Sequence, residues 1–231
     1  MNPTELPQGE PRPIDVSRRR LFRGAAAGVG VVLSVQAKTA LGTGVCQSPS
    51  AVMSGNTSPR AGTGANCSGG RSPGFWKVPQ HFSYWGAAGA TPATFKVAVS
   101  ECSSGLKGLK VTDIASHGTT LTSVGFAGAP PGVGLWAVLA FPNEYSGGQL
   151  MRHLAAAWLN AGYFSSNAAK YPLSKAQVIA MWNATKSGGV YCPSTMLGCG
   201  TSGWSSTQVI SYIEGLYDFN ADVEPNLCKS A

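Results

Sequence analysis

The clearest pattern of polar and apolar positions lies in the C-terminal half of the chain, where it occurs three times. An apolar residue precedes Ser, two variable residues follow, and then come Gln and a second apolar residue. The three copies are Tyr145-Ser146-x-x-Gln149-Leu150, Leu173-Ser174-x-x-Gln177-Val178 and Trp204-Ser205-x-x-Gln208-Val209. Such a Ser can cap the third backbone N–H of a helix while Gln accepts from the N–H of Ser, and the flanking apolar side chains pack together. The pattern predicts three helices that begin at these serines.

Apolar residues recur at helical spacing after each predicted start. The stripes are Leu150, Leu154, Ala157, Trp158 and Ala161; Val178, Ile179 and Trp182; and Val209, Ile213 and Leu216, the last opposite Ser211, Glu214 and Asp218. Upstream, Thr91-Pro92 has the form of a helix N-cap followed by proline and predicts a short helix through Val99. The Gly-rich stretch 103–133 leaves room for a short strand or an irregular loop. We therefore expect a mainly α fold, a compact disulfide-stapled helical cluster with long Gly/Pro/Ser-rich loops and room for a short strand pair.

The N-terminal segment has the layout of an export signal. Residues 1–16 are polar and Pro-rich, Ser17-Arg18-Arg19-Arg20-Leu21-Phe22 follows, and the apolar stretch 24–35 is too short to span a bilayer. The run resembles a twin-arginine (Tat) signal, in which Arg18 and Arg19 are recognised by the Tat translocase. An ordinary Sec signal with a chance arginine run is the alternative. Val35 and Ala37 are small residues spaced as in a signal-peptide cleavage site, so we predict cleavage after Ala37.

The same features divide the chain into three segments. They are a Tat signal peptide over 1–37, a flexible Gly/Ser/Thr-rich lead-in over 38–66, and a single helical exported domain over 67–231. After cleavage no membrane span is expected, and the protein would be extracytoplasmic, in the periplasm or secreted. The net charge of +7 comes partly from the leader, and the remaining basic residues are scattered, so nucleic acid is not an expected partner.

All the cysteines follow the predicted leader, and their number is even. They are Cys46, Cys67, Cys102, Cys192, Cys199 and Cys228. In an exported chain this composition predicts disulfide bonds. Cys192 with Cys199 and Cys46 with Cys67 would close short loops and leave Cys102 for Cys228, although sequence alone does not choose among the pairings. A metal or redox centre is the alternative, but no C-x-x-C spacing is present, and no cofactor is expected.

Two segments of the chain resemble a known family. Cys67 with Ser72-Pro73-Gly74-Phe75-Trp76-Lys77 resembles the Cys…Gly-Tyr-Trp-Lys-Asn-His-Pro opening of small exported bacterial domains of unknown function. Their later Leu-Ala-x-x-Leu-Asn helix is similar to His153-Leu154-Ala155-Ala156-Ala157-Trp158-Leu159-Asn160. The resemblance extends over roughly 67–220, but Val78-Pro79-Gln80-His81 stands where the family has Asn-His-Pro. It implies an exported, helix-containing domain and no particular activity.

The aromatic segment around Phe75, Trp76, Lys77 and Trp85 is the main candidate binding site. Flat aromatic side chains stack on sugars, so these residues could form a glycan-binding platform. The other interpretation is an aromatic plug that covers the helices, with the ammonium group of Lys77 directed outward.

Histidines and acidic residues supply the other candidates. His153, on the edge of the first apolar stripe, could be a catalytic base or metal ligand, although a packed histidine is the preferred interpretation. His81 and His117 have no acid or cysteine near them in sequence at zinc-site spacing. Asp218, Asn220 and Asp222 alternate as in the first half of a calcium loop, but the turn glycine and the final glutamate of such a loop are missing. A solvated acidic end is therefore preferred.

No known catalytic motif was found in the sequence. We therefore expect a non-enzymatic binding or surface-interaction module whose partner is a surface, a glycan or another protein. The alternative is a small extracytoplasmic hydrolase that acts on cell-wall or environmental polymer, because catalytic residues can be distant in sequence. A cleft in which histidines and carboxylates cluster would favour the hydrolase. An exposed aromatic strip would favour the binding module.

Overall fold

The structure is a computed structural model that describes residues 46–53, 69–165, 167–168, 170–193, 199, 203–219 and 222. All of them belong to one structural unit, Leu41–Ala231. The predicted signal peptide with Arg18 and Arg19 lies outside the described residues, as do Cys67, Asn220 and Cys228.

Helices account for about half of the described residues, and one two-stranded antiparallel sheet accompanies them. The helices are α1 (Pro49–Met53), α2 (Pro73–Lys77), α3 (Ser83–Ala87), α4 (Leu135–Ala140), α5 (Gly148–Tyr163), α6 (Lys175–Thr185) and α7 (Ser206–Glu214). The strands are β1 (Thr94–Phe95) and β2 (Ile114–Ser116), and short 3₁₀ turns occupy several of the connections. No helix among the described residues is long and apolar enough to cross a membrane.

Helix α5 lies at the centre of the core. It packs against α2, α3, α4, α6 and α7, and most of its side chains are buried on every face. The run Ala155-Ala156-Ala157 is fully buried, and its small side chains let neighbouring helices approach the α5 backbone closely. The predicted stripe of the first helix is thus part of a wider buried surface, as expected for a helix surrounded by others.

Two of the three predicted helix starts are confirmed. Ser174 Oγ accepts from the Gln177 N–H at 3.3 Å, and Gln177 Oε1 accepts from the Ser174 N–H at 2.9 Å. Ser205 and Gln208 repeat both bonds at 3.4 and 2.9 Å. These are complete capping boxes at the starts of α6 and α7.

The third predicted helix is present, but Ser146 does not cap it. Helix α5 begins at Gly148, after Gly147 in the left-handed region at φ 69°, and no side chain caps it. A Cβ atom on Gly148 would collide with the carbonyl oxygen of Pro142, so this tight turn before the helix requires glycine at position 148. Gln149 donates to Asn143 Oδ1 at 3.0 Å and does not close a capping box.

This difference gives a matched test of the sequence pattern. The Ser205→Ala variant loses the cap of α7 and should lower the free energy of unfolding by about 1 kcal/mol. The Ser146→Ala variant changes the same residue type in the same sequence pattern and should leave stability within about 0.5 kcal/mol. Urea denaturation of both variants measures the difference, and equal losses would contradict the assigned starts.

The helix predicted from Thr91 to Val99 is also wrong. Thr94–Phe95 forms β1 and pairs with Ile114–Ser116, in agreement with the short strand pair that the sequence allowed. The Thr119 N–H donates to the Thr91 carbonyl oxygen at 2.9 Å, and the Thr91 N–H donates to Thr119 Oγ1 at 2.8 Å. Hydrogen bonds to a segment distant in sequence therefore replace those of the local helix.

The disulfide prediction is confirmed in part. Cys192 and Cys199 are bonded, with their Cα atoms 5.5 Å apart. Cys46 and Cys102 are disulfide-bonded as well, whereas the pairings predicted for them, with Cys67 and Cys228, involve residues outside the described ones. The structure also describes part of the lead-in that was predicted to be flexible. This part contains helix α1, whose Pro49 is buried.

Candidate functional site

The aromatic segment is used in the core. Ser72 caps α2 by accepting from the Phe75 N–H at 3.3 Å. Phe75 is 3% exposed, and Trp76 and Trp85 are 0% exposed. The glycan-platform interpretation is therefore wrong for these three rings, because a sugar needs an accessible aromatic face.

Lys77, the fourth candidate, is half-buried at the end of α2. Its carbonyl oxygen accepts from Trp136 Nε1 at 2.8 Å. Burial lowers the pKa of the Lys77 ammonium, and the charge of Arg152 lowers it further. Lys77 thus belongs to the edge of the aromatic plug.

Asn160 of α5 binds this segment to the core. Its Oδ1 accepts from the Arg71 N–H at 2.9 Å and from Trp76 Nε1 at 3.2 Å, and its Nδ2 donates to the Arg71 carbonyl oxygen at 2.8 Å. Asn160 is 0% exposed. The two segments that carry the family resemblance therefore meet through one buried amide.

The chain after α7 returns to the same place. Tyr217 forms a parallel bridge with Gly70, and the Asp218 N–H donates to the Gly70 carbonyl oxygen at 2.7 Å. Asp222 Oδ1 then accepts from the Ser72 N–H at 3.3 Å. A Cβ atom on Gly70 would collide with the carbonyl oxygen of Leu216, so this approach requires glycine. We call residues 217–219 together with Asp222 the C-terminal strap.

The strap accounts for the acidic run that resembled a calcium loop. Asp222 directs a carboxylate oxygen to Ser72, a contact that a calcium loop does not make, and Asp218 pairs with Gly70 through its backbone. Asn220 lies outside the described residues. Among the residues that the structure describes, no group of three or more His, Cys, Asp or Glu side chains could hold a metal ion.

A polar cavity lies between the strap and the aromatic segment. Its volume is about 230 Å³. The lining residues are Ser72, Gly74, Phe75, Val78, Gln80, His81, Ser103 and Asp222. It collects an imidazole, a carboxylate, an amide and two hydroxyl groups, and we call it the His81 cavity.

His81 is held in one orientation. Its ring stacks on Phe75 with centroids 3.8 Å apart and planes 8° apart, and Nδ1 lies 2.8 Å from the Phe75 carbonyl oxygen. Because a carbonyl oxygen only accepts, Nδ1 carries a hydrogen, and in the neutral ring Nε2 is the acceptor. Nε2 lies 2.9 Å from Gln80 Nε2, an amide donor, which agrees with this tautomer.

Asp222 is partly shielded from water in the cavity. Burial raises the pKa of its carboxyl group, while hydrogen bonds from Ser72 and the charges of Arg71 and His81 oppose the rise. The guanidinium of Arg71 lies 4.6 Å from the centre of the Phe75 ring. The fold thus gives His81 the neighbouring acid that the local sequence lacks.

His153 lies in a second cluster, on the side of α5 that faces α7. Its Nδ1 is 3.0 Å from the Tyr217 hydroxyl oxygen, and its Nε2 is 3.6 Å from Glu214 Oε1. Burial lowers the pKa of His153 to about 4, and the charge of Arg152 contributes. A histidine so placed is neutral near pH 7 and packs beside Tyr217, in agreement with the packed interpretation.

The remaining candidates have ordinary structural roles. His117 lies in the loop before α4, where its Nδ1 accepts from the Gly134 N–H at 3.4 Å.

A larger groove of about 580 Å³ lies at the start of α6 beside Lys175. The Lys175 ammonium already donates to the Ala88 carbonyl oxygen at 2.8 Å and lies 3.5 Å from the centre of the Trp158 ring.

Sequence reasoning missed Asp222 as a neighbour of His81, because Asp222 reaches Ser72 across 150 positions. It also missed the role of Asn160 as the residue that binds Arg71 and Trp76.

No protein-family model matches the chain, and searches of curated proteins and of solved structures found no match either.

Proposed function

We propose that this chain is a Tat-exported, mainly α binding module whose ligand site is the His81 cavity. One observation carries the site: the cavity gathers His81, Asp222, Gln80 and two serines, while the aromatic rings that might have bound a ligand are buried. Hydroxyl, amide, imidazole and carboxylate groups together suit a small polar ligand or a polar group of a larger partner. The disulfide-bonded cysteines support an oxidising, extracytoplasmic location.

The hydrolase remains the second candidate, because His81 and Asp222 share one cavity. A serine-hydrolase triad requires the acid to accept from the histidine Nδ1–H and the serine to face Nε2. Here the Phe75 carbonyl oxygen takes the Nδ1–H, and Asp222 contacts Ser72. This hydrogen bonding favours binding over acyl transfer.

The proposed site can be tested with fragments of extracytoplasmic polymers. We expect soluble peptidoglycan fragments or chito-oligosaccharides to shift the amide NMR signals of Gly74, Gln80 and Ser103. The Asp222→Asn variant should bind at least tenfold more weakly, and Glu144→Gln, which changes an exposed carboxylate outside the cavity, should bind normally. Shifts confined to other residues would refute the proposed site, and release of cleaved fragments would establish the hydrolase.

Export is tested separately. The double variant Arg18→Lys and Arg19→Lys should leave an uncleaved precursor in the cytoplasm, because the Tat translocase recognises the arginine pair. Arg12→Lys with Arg23→Lys keeps that pair and serves as the control. Fractionation and intact-mass measurement report location and cleavage, and normal export of the first variant would contradict the Tat assignment.

A further inference from the structure

We propose that the His81 cavity binds a primary ammonium group, with the Asp222 carboxylate as its main partner. Such a group occurs on amino sugars and on alkylamines, and it would enter the cavity as the charged end of a larger compound. The proposal rests on the proposed function, in which this cavity is the binding site, and it names the chemical class of the ligand.

The charge of the cavity favours a cation. Asp222 is the one carboxylate among the described lining residues, and none of them is a lysine or an arginine. Within the described part of the chain, no Lys or Arg side chain lies within ion-pairing distance of Asp222. A partly buried carboxylate without a direct ionic partner is costly, so a cation that enters the cavity would compensate its charge.

Arg71 acts on Asp222 from outside the cavity. Its guanidinium lies 4.6 Å from the centre of the Phe75 ring, and Arg71 is not among the described lining residues. Burial raises the pKa of the Asp222 carboxyl group, but hydrogen bonds from Ser72 lower that pKa again, as do the nearby positive charges. These interactions favour the ionised carboxylate, which is the form that attracts an ammonium group.

Hydrogen bonding in the cavity favours a ligand that donates. A carboxylate accepts about four hydrogen bonds, and Ser72 supplies Asp222 with one from its backbone N–H and one from its hydroxyl group. The remaining positions of the carboxylate can only accept, and the Ser103 hydroxyl on the cavity wall can accept as well. An ammonium group has N–H donors and no acceptor, so it matches this lining better than a neutral hydroxyl group does.

The size and aromatic lining of the cavity favour a primary ammonium group over a methylated one. Quaternary ammonium ligands are bound by accessible faces of aromatic rings, whereas Phe75 is 3% exposed and His81 stacks on it. The cavity volume of about 230 Å³ is below the roughly 300–1,000 Å³ of typical small-molecule sites. The cavity therefore has room for the charged end of a ligand, and the remainder of that ligand would lie outside.

The test compares ligands that differ in the charged group, using the full protein with its disulfides intact. At about pH 6.5, below the pKa of the amine, D-glucosamine should shift the amide NMR signals of Gly74, Gln80 and Ser103. D-glucose has a hydroxyl group in place of the ammonium group and should bind about tenfold more weakly, or weaker still. Butylamine separates the two sources, because binding equal to that of D-glucosamine would show that the ammonium group alone is recognised.

The Asp222→Asn variant isolates the charge, because its side-chain oxygen can still accept from the Ser72 N–H. This variant should bind D-glucosamine about tenfold more weakly and lose the preference over D-glucose. Glu144→Gln removes an exposed carboxylate outside the cavity and should bind D-glucosamine as the unchanged protein does.

The comparison of ligands on the unchanged protein does not depend on the folding of any variant. Equal binding of D-glucosamine and D-glucose, or an Asp222→Asn variant that keeps the preference, would overturn the ammonium site. If neutral polymer fragments shift the cavity signals as strongly as the amines do, the proposed function survives that failure. If no ligand shifts those signals, both proposals are refuted.

Discussion

The Asn160→Leu variant is expected to lose on the order of 4 kcal/mol of unfolding free energy, because three buried polar groups would lose their shared partner. Leucine has the same number and branching of side-chain heavy atoms as asparagine but no polar atoms. It would leave the Arg71 N–H, the Arg71 carbonyl oxygen and Trp76 Nε1 buried without the amide that now binds them. Each unsatisfied buried group costs about 1–3 kcal/mol.

Asn183→Leu provides the control for this prediction. Asn183 is exposed on α6, so the same chemical change there should alter stability by less than about 0.5 kcal/mol. Chemical denaturation with urea, monitored by tryptophan fluorescence, measures both variants. A loss below about 1.5 kcal/mol for Asn160→Leu would show that the buried amide does not hold the aromatic segment to α5.

Acidification should destabilise the protein through His153. The pKa of His153 is lowered from 6.5 to about 4 in the folded state because burial penalises the charged ring, and Arg152 adds repulsion. Glu214 lies near Nε2, but its side chain is 53% exposed, so water screens its attraction. The neutral imidazole is therefore the form that the fold accommodates.

The direction of the pH dependence follows from the two pKa values. Between about pH 6.5 and pH 4 the unfolded chain binds a proton at His153 that the folded chain does not. This contribution to stability is complete above pH 6.5 and declines as the pH falls towards 4. The full loss corresponds to about 3 kcal/mol.

The His153→Gln variant isolates this contribution, because glutamine does not titrate. Its stability difference from the unchanged protein at about pH 8 reports packing alone, and the change in that difference by about pH 4.5 reports protonation. We expect the variant to lose about 2 kcal/mol less than the unchanged protein over this interval. Parallel pH profiles for the two proteins would show that His153 is not the responsible group.

Local chemistry was readable from the sequence. Ser174 and Ser205 begin helices because capping boxes need only residues three positions apart, and the apolar stripe of α7 is buried as expected. Ser146 has the same pattern and fails, since Gly147 and Gly148 allow a tight turn that brings in Pro142. Contacts with backbone that the pattern does not include decide the outcome there.

Long-range partners were not readable. The spacing of residues 91–99 does not predict that Thr94–Phe95 will pair with a strand some twenty positions later. The aromatic residues were recognised, but whether they cover the core or face solvent depends on α4 and α5 packing around them. The His81 cavity was hidden for the same reason, since its histidine and its acid come from opposite parts of the chain.

The C-terminal strap has a consequence for proteolysis. Asp222 is the sole carboxylate among the described lining residues of the His81 cavity. In the sequence it comes after every described helix. A protease that clipped the backbone just before Asp222 would leave all seven of those helices in place, and reduction of the disulfide predicted for Cys228 would then release the segment that carries the acid. Such a nicked and reduced protein would keep its helical far-ultraviolet spectrum while losing its ligand, so a helix-content assay alone would not detect its inactivation.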